Sequence, residues 1–217
     1  MINNMILGII QIVSILILPV ILVYFKIIPF KYRRHALAAI SIVVILLCIT
    51  EKITLKQLGI RTDNIVSGLI PYALFTILGV LILYIISKMT ARQADENFYS
   101  NKKFIIIIVV GSIIQEFLYR GFLIPKLYAI FADNTALIIL VNVVLFTLVH
   151  IIYSNTRATI ITIFIAGIFF SGVYLIYPNL ILISLSHIVL NQAALRYNFF
   201  REENVKKTIK ETKHIRK

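Results

Sequence analysis

The chain has a single cysteine, Cys48, among its 217 residues. It sits in an apolar run, so neither a disulfide framework nor a cysteine zinc site can form. Acidic residues are also scarce, 9 Asp and Glu against 22 Lys and Arg, and charged residues make up only 14%. Soluble domains carry roughly a quarter charged residues. There is no internal repeat and no low-complexity segment beyond a richness in isoleucine. What fills the chain instead is apolar: 60% is hydrophobic, with a mean hydropathy of +0.95. One soluble core of this size cannot hide that much apolar surface. Soluble, disordered and fibrous readings are excluded, and an integral membrane protein remains.

Apolar stretches long enough to cross a bilayer as helices fall at about 5–25, 36–50, 66–87, 104–124, 134–152, 158–177 and 180–196. The expected fold is therefore all-α, a polytopic membrane helix bundle of about seven transmembrane helices; an eighth, split or re-entrant segment stays open. No basic residue precedes the first stretch, which argues against a cleaved signal peptide. Connecting segments alternate in charge. Seventeen Lys and Arg fall on one side, including Lys26, Lys31, Arg33, Arg34, Lys88, Arg92, Lys102, Lys103, Arg157 and Arg196. Only Lys52, Lys56, Arg61 and Lys126 fall on the other, with Arg120 left inside a span. The positive-inside rule then places the N-terminus outside and the C-terminus in the cytoplasm. The same rule accounts for the formal charge of +13 without nucleic acid as a partner. Segment 51–65 reads as a short interfacial helix carrying Ile53, Leu55, Leu58 and Ile60, ended by Gly59. The organisation expected is N-terminal spans with the interfacial segment (1–103), a core of spans (104–197) and a basic cytoplasmic tail (198–217), solvated or resting on anionic lipid.

Polar and ionisable side chains inside a span are costly and need a reason. Gln115, Glu116 and Arg120 lie in the fourth span, Asn142 and His150 in the fifth, and His187, Asn191 and Gln192 in the seventh. The other spans are nearly free of such groups, Gln11 excepted. Glu116 and Arg120 are four apart and share a helix face, as do His187 and Asn191; Phe146 and His150 repeat the spacing. At 1.5 Å per residue, Glu116 lies about 18 Å from the cytoplasmic end, His187 about 20 Å and Asn191 about 14 Å, but His150 only about 6 Å.

A carboxylate beside a histidine in a low-dielectric site can deprotonate water. A second histidine with an asparagine amide can stabilise a tetrahedral oxyanion. That set suits hydrolysis of a peptide bond. Ser186 beside His187 is the nearest candidate nucleophile, but adjacent helix residues point apart. Glu116, His150 and His187 could instead hold a zinc ion, and the residues leave open whether any metal is used. Two further readings stand on spacing alone: a polar network that glues helices together, and a proton or transport path.

The run Gln115-Glu116-Phe117-Leu118-Tyr119-Arg120-Gly121 resembles the first motif, Glu-Glu-x-x-x-Arg, of the CAAX-protease and bacteriocin-processing (CPBP, or Abi) family. Phe146-x-x-x-His150 resembles its second motif and His187-x-x-x-Asn191 its third, in the family's order. The resemblance implies an intramembrane endopeptidase acting on a membrane-associated peptide or protein in the cell membrane, with a bacterial plasma membrane the expected site. It implies that the glutamate pair and His150 activate water, that His187 and Asn191 form the oxyanion site, and that Arg120 is structural, with Phe146 beside it. One position departs: Gln115 stands where the family has the first glutamate, and an amide cannot act as a base at neutral pH. The chain is then a disabled variant, a natural pseudoprotease that binds without cutting, as an immunity protein would, or an enzyme that uses Glu116. Glu116 points about 100° away from Gln115, and pairing with Arg120 makes it a poorer base. Gly121 and Pro125 suggest a bend or loop leaving the fourth span, Gly167 and Gly172 close helix packing, and Tyr119, Tyr153, Tyr174 and Tyr177 packing or interface roles. No Cys-a-a-X end is present, so the chain is not expected to be its own substrate.

Overall fold

A computed structural model describes residues 2–96, 98–152 and 157–199. The described residues are all-helical, without strands. The helices are α1 (Ile2–Gln11), α2 (Leu18–Tyr24), α3 (Arg33–Thr50), α4 (Ile65–Met89), α5 (Lys102–Glu116), α6 (Ile124–Phe131), α7 (Thr135–Ile151), α8 (Arg157–Ile176) and α9 (Leu180–Arg196). A π-helical segment, Ile12–Ile17, joins α1 to α2, and another, Phe117–Leu123, joins α5 to α6. Among the described residues, five stretches are long and apolar enough to cross a membrane: Met5–Tyr24, Phe30–Thr50, Ile65–Met89, Lys102–Phe131 and Thr159–Ile176. α7 and α9 are apolar but shorter. The chain is a multi-pass membrane protein. The expected tail lies outside the described residues beyond Phe199, as does Tyr153.

Three helices, α5, α7 and α9, start on a capping asparagine. Asn101 accepts from the Phe104 N–H, Asn134 from the Leu137 N–H, and Asn179 from the Ile181 and Leu182 N–H groups. Each satisfies donors that the first turn would otherwise leave unpaired. The lipid-facing sides carry exposed apolar residues, Val66, Ile70 and Ile77 on α4 among them. The polar residues turn inward, with Ser112, Glu116, Arg120, Asn142 and Ser171 all 0% exposed. In a bilayer this is the favourable sense, since lipid cannot satisfy a polar group.

α9 lies between α4 and α5, and α7 packs on α8. The α4–α9 approach is set by Gly79, where an added Cβ would come within 2.6 Å of Leu190, and by Gly68 against Leu182. Gly167 does bring α8 close to Val143 and Phe146 on α7, as expected, but Gly172 faces nothing within 4 Å. The spacing of small residues alone does not say which face meets a neighbour.

Two local expectations are corrected. Segment 51–65 is a series of turns rather than a helix. One short turn spans Thr54 to Ile60, with Leu58 N–H donating to Thr54 and Ile60 N–H to Leu55. Gly59 ends it at φ +76°, a backbone state that glycine adopts without a Cβ penalty. Leu58 is buried while Leu55 stays exposed, so the segment is held by docking rather than by an amphipathic face. Tyr174 donates to the Leu58 carbonyl, Leu180 N–H to Gly59, and Asn179 to Arg61 and Asn64. The second correction concerns the fourth span. Instead of leaving at Gly121 and Pro125, the helix runs on to Phe131 through the π segment. Pro125 falls in the first turn of α6, where its missing N–H is tolerated, and the wider π winding carries the chain into it.

Candidate active site

The first motif sits at the end of α5 and in the π segment that follows. Glu116 and Arg120, one turn apart, are both fully buried: Arg120 Nε lies 3.3 Å from Glu116 Oε2 and Nη1 3.4 Å from Oε1. His187 of α9 completes this group, its Nδ1 2.6 Å from Glu116 Oε1. A carboxylate oxygen flanked in this way accepts from Nδ1–H, which leaves Nε2 of a neutral His187 as the acceptor nitrogen. The Arg120 guanidinium also lies 4.2 Å from the centre of the Phe146 ring and 5.4 Å from that of Phe170. An aromatic face shares the burial of a cation that one carboxylate alone would leave under-compensated.

Phe146 is the hub. Its ring centre is 4.7 Å from that of His150, 5.8 Å from that of His187 and 5.5 Å from that of Tyr119. The second motif therefore places one aromatic ring against both imidazoles and against the Arg120 guanidinium. His150 Nδ1 lies 2.8 Å from the Phe146 carbonyl oxygen. That oxygen can only accept, so Nδ1 carries the proton and Nε2 is the acceptor of the neutral ring.

A cavity of about 410 Å³ opens beside this group. Gln115, His150 and Asn191 line it, from α5, α7 and α9, together with Arg33, Arg34, Leu37 and Ala38 of α3 and apolar residues of α5 from Phe104 to Ile114. Gln115 is 8% exposed, and its amide makes no hydrogen bond to the described residues. Asn191 donates from Nδ2 to Ser112 Oγ at 3.2 Å. The five candidate residues thus divide: Gln115, His150 and Asn191 face the cavity, while Glu116 and His187 form the pair with Arg120. Among the described residues, no Asp or Glu lines the cavity.

His150 meets Gln115 and Asn191 at one cavity although a count from span ends leaves it two turns shallow. Such a count assumes parallel helices that start in one plane. The cavity wall along α5 alone, Phe104 to Gln115, covers about 16 Å at the helical rise, enough to take in both depths. Asn142 belongs elsewhere: it donates to the Tyr119 carbonyl at 2.6 Å and accepts from Ser171 at 2.9 Å, tying α7 to the π segment and to α8. Ser186 accepts from Thr76 of α4 at 2.8 Å, on the side of α9 away from His187, and is no nucleophile for this site. Tyr174 and Tyr119 are buried packing residues. Gln11 is engaged with Glu51 at 2.7 Å. Gln192 is half-buried and does not line the cavity.

Ser112 and the Arg33–Arg34 pair are what sequence reasoning missed. Ser112 was findable, since it is three residues before Gln115 and so on the same helix face. The arginines read only as topology signals. Among the described residues, no three His, Cys, Asp or Glu side chains converge as a metal site. Glu116 and His187 touch, but His150 does not join them and the carboxylate is already engaged by Arg120. The Glu116–His150–His187 ligand set considered for zinc does not fit this arrangement.

The candidate site is thus a buried acid–histidine pair, an aromatic hub and an amide-and-imidazole cavity inside an all-helical membrane bundle. Residues 100–193 match the family model described as type II CAAX prenyl endopeptidase Rce1-like. That stretch is similar to the CAAX-protease family that the three motifs resemble, and that family is one of proteases. No curated protein and no solved structure matches the chain.

Proposed function

We propose that the chain is an intramembrane endopeptidase that hydrolyses a peptide bond of a membrane-associated peptide or protein, with His150 as the base. The observation that carries this reading is the convergence of Gln115, His150 and Asn191 on one cavity. A water held between the Gln115 amide oxygen and His150 Nε2 gives its proton to the imidazole as its oxygen attacks the carbonyl carbon. The Asn191 amide, oriented by Ser112, donates to the oxyanion that forms. The protonated His150 then passes its proton to the leaving amine as the C–N bond breaks. Glu116 holds His187 and Arg120 in place and is itself no base here, because its carboxylate oxygens are already engaged by those two side chains.

With seven spans, the basic ends of the helices lie in the cytoplasm and the cavity opens toward that side of a cell membrane, a bacterial plasma membrane by the composition of the chain. The first three spans (within 1–103) serve substrate access, 104–197 is the catalytic core and 198–217 a basic tail. A second reading is favoured by one observation, that no carboxylate among the described residues lines the cavity: the same scaffold binds its peptide without cutting it, as an immunity or pseudoprotease protein would.

The test compares peptide termini by mass spectrometry in cells that express the chain, its Gln115→Glu form, or Gln115→Glu with His150→Ala. A base positioned on water is worth about 10²–10⁴-fold. The chain should yield new termini weakly, Gln115→Glu should raise them by about 10²-fold, and the doubly substituted form should yield none. No new termini from any of the three would hand the site to the non-catalytic reading. Undiminished cleavage without His150 would remove its role as base.

A further inference from the structure

Asn142 takes no part in the proposed hydrolysis, yet it is 0% exposed and engaged at both ends of its amide. Its Nδ2 donates to the Tyr119 carbonyl at 2.6 Å, and its Oδ1 accepts from Ser171 at 2.9 Å. Ser171 is 0% exposed as well. Tyr119 lies inside the π segment Phe117–Leu123, which starts directly after the Gln115–Glu116 pair. A π turn passes each hydrogen bond one residue further along than an α turn. Carbonyls inside it leave the i,i+4 ladder, and a donor from a neighbouring helix stabilises that winding against the α alternative.

The winding sets a register. A π segment holds one residue more than the α-helix that it interrupts, so the helix before it is turned by about 100° relative to an unbroken one. The two ends are fixed by different neighbours. α5 is held on α9, where Asn191 donates to Ser112, and α6 is held by Lys126 on Glu51 and by its packing on α1. The extra residue must therefore sit between Ser112 and Lys126, and its place decides what the first motif presents. Where it follows Glu116, Gln115 lines the cavity and Glu116 meets Arg120 and His187. Moved one turn toward the start of α5, it would give each residue that it passes the place of its predecessor. Glu116 would then stand where Gln115 stands.

We propose that Asn142 is a positioning residue: by holding the π turn at Tyr119, with Ser171 orienting its amide, it keeps Gln115 rather than Glu116 at the cavity. The bearing of this on hydrolysis rests on the reading of the cavity as the substrate site; the register itself does not.

Thiol labelling tests the register without catalysis. Gln115→Cys and Glu116→Cys, each in the full chain with Cys48→Ala, are reacted with methyl methanethiosulfonate in phosphatidylcholine nanodiscs. The thiol at 115 faces the cavity and should react faster. Loss of a buried hydrogen bond moves a two-state equilibrium about tenfold. Asn142→Leu should therefore lower the ratio of the rate at 115 to that at 116 about tenfold, with Ser171→Ala in between. Val143→Ala thins the same α7–α8 contact, at Gly167, and should leave the ratio as it was. An unchanged ratio in Asn142→Leu overturns the proposal. So does an equal rise at both positions, or a fall of the same size in Val143→Ala, since each is general loosening. A second measurement keeps Glu116 itself. Dicyclohexylcarbodiimide, an apolar carbodiimide, should form an adduct at Glu116 in Asn142→Leu and not in the parent chain, located by digestion and mass spectrometry. Equal adduct in both, or none in a folded Asn142→Leu chain, also overturns the proposal. The reading of the cavity as a hydrolytic site fails separately, on the peptide termini.

Discussion

Arg120 shows how much one residue can carry. It is the largest fully buried side chain in the described structure, and its charge is shared between Glu116 and the Phe146 face. Such a pair adds little net stability when intact, because desolvation offsets attraction, but removing one partner strands the other. Arg120→Ala should cost about 3–5 kcal/mol, read as resistance to unfolding in detergent. Glu116 would then hold an uncompensated buried charge beside His187. Arg120→Ala combined with Glu116→Gln should recover part of the loss. A single substitution that leaves stability unchanged would show that the pair is not buried in the membrane-embedded protein.

At the level of elements, the loop from Lys52 to Asn64 is the clearest case of structure set by docking. It is pinned to the α8–α9 connection through Tyr174, Asn179 and Leu180, and it lies against the π segment, where an added Cβ on Gly121 would come 3.2 Å from the Leu58 carbonyl. Gly59→Ala meets two obstacles, a positive φ of 76° and a Cβ only 2.2 Å from the Tyr174 hydroxyl. It should destabilise by about 2 kcal/mol or more, whereas Gly172→Ala, with open space around it, should be close to neutral. A thermal melt of both variants separates the two expectations. The docked loop sits directly beside the π segment that follows the first motif, so the Gly59 variant should also impair any activity that depends on how Gln115 is aimed.

Across the whole molecule, a polar knot just past the end of α3 ties three helices together. Glu51, just past α3, accepts from Gln11 of α1 and pairs with Lys126 of α6. Partial burial opposes ionisation of this carboxyl, but the bonds from Lys126 and Gln11 prevail and hold it below the usual carboxylate range. A carboxylate whose value is depressed by folding contributes stability above its unfolded value, about 4.3, and loses it as the pH falls through the folded value. Acidification from pH 6 toward pH 3 should therefore loosen the contact of α1 and α6 with α3, and Glu51→Gln should lose less stability over that interval. Asp63, which Arg61 holds at about 2, also loses stability as the pH falls below its unfolded value, but equally in both forms, so the difference between them reports Glu51. An unchanged pH profile in the Glu51 variant would show that the knot is not ionic.

Composition and periodicity by themselves determined the membrane class, the helical fold and the confinement of polar residues to the fourth, fifth and seventh apolar stretches. Those properties depend on local chain chemistry: apolar length, the cost of a buried polar group, and residues three or four apart sharing a helix face. The i,i+4 spacing likewise identified Glu116 with Arg120, and the motif order pointed to the protease family. Which polar residues meet across helices was decided only in three dimensions. The partition of Gln115, His150 and Asn191 to the cavity, and of Glu116 and His187 to the ion pair, depends on how α5, α7 and α9 are rotated about their axes. That rotation is set by contacts far apart in sequence, Gly79 against Leu190 and Asn142 on Tyr119 among them. The same holds for Arg33 and Arg34, which as sequence are topology signals and as structure line the cavity, because the start of α3 faces α5 across it.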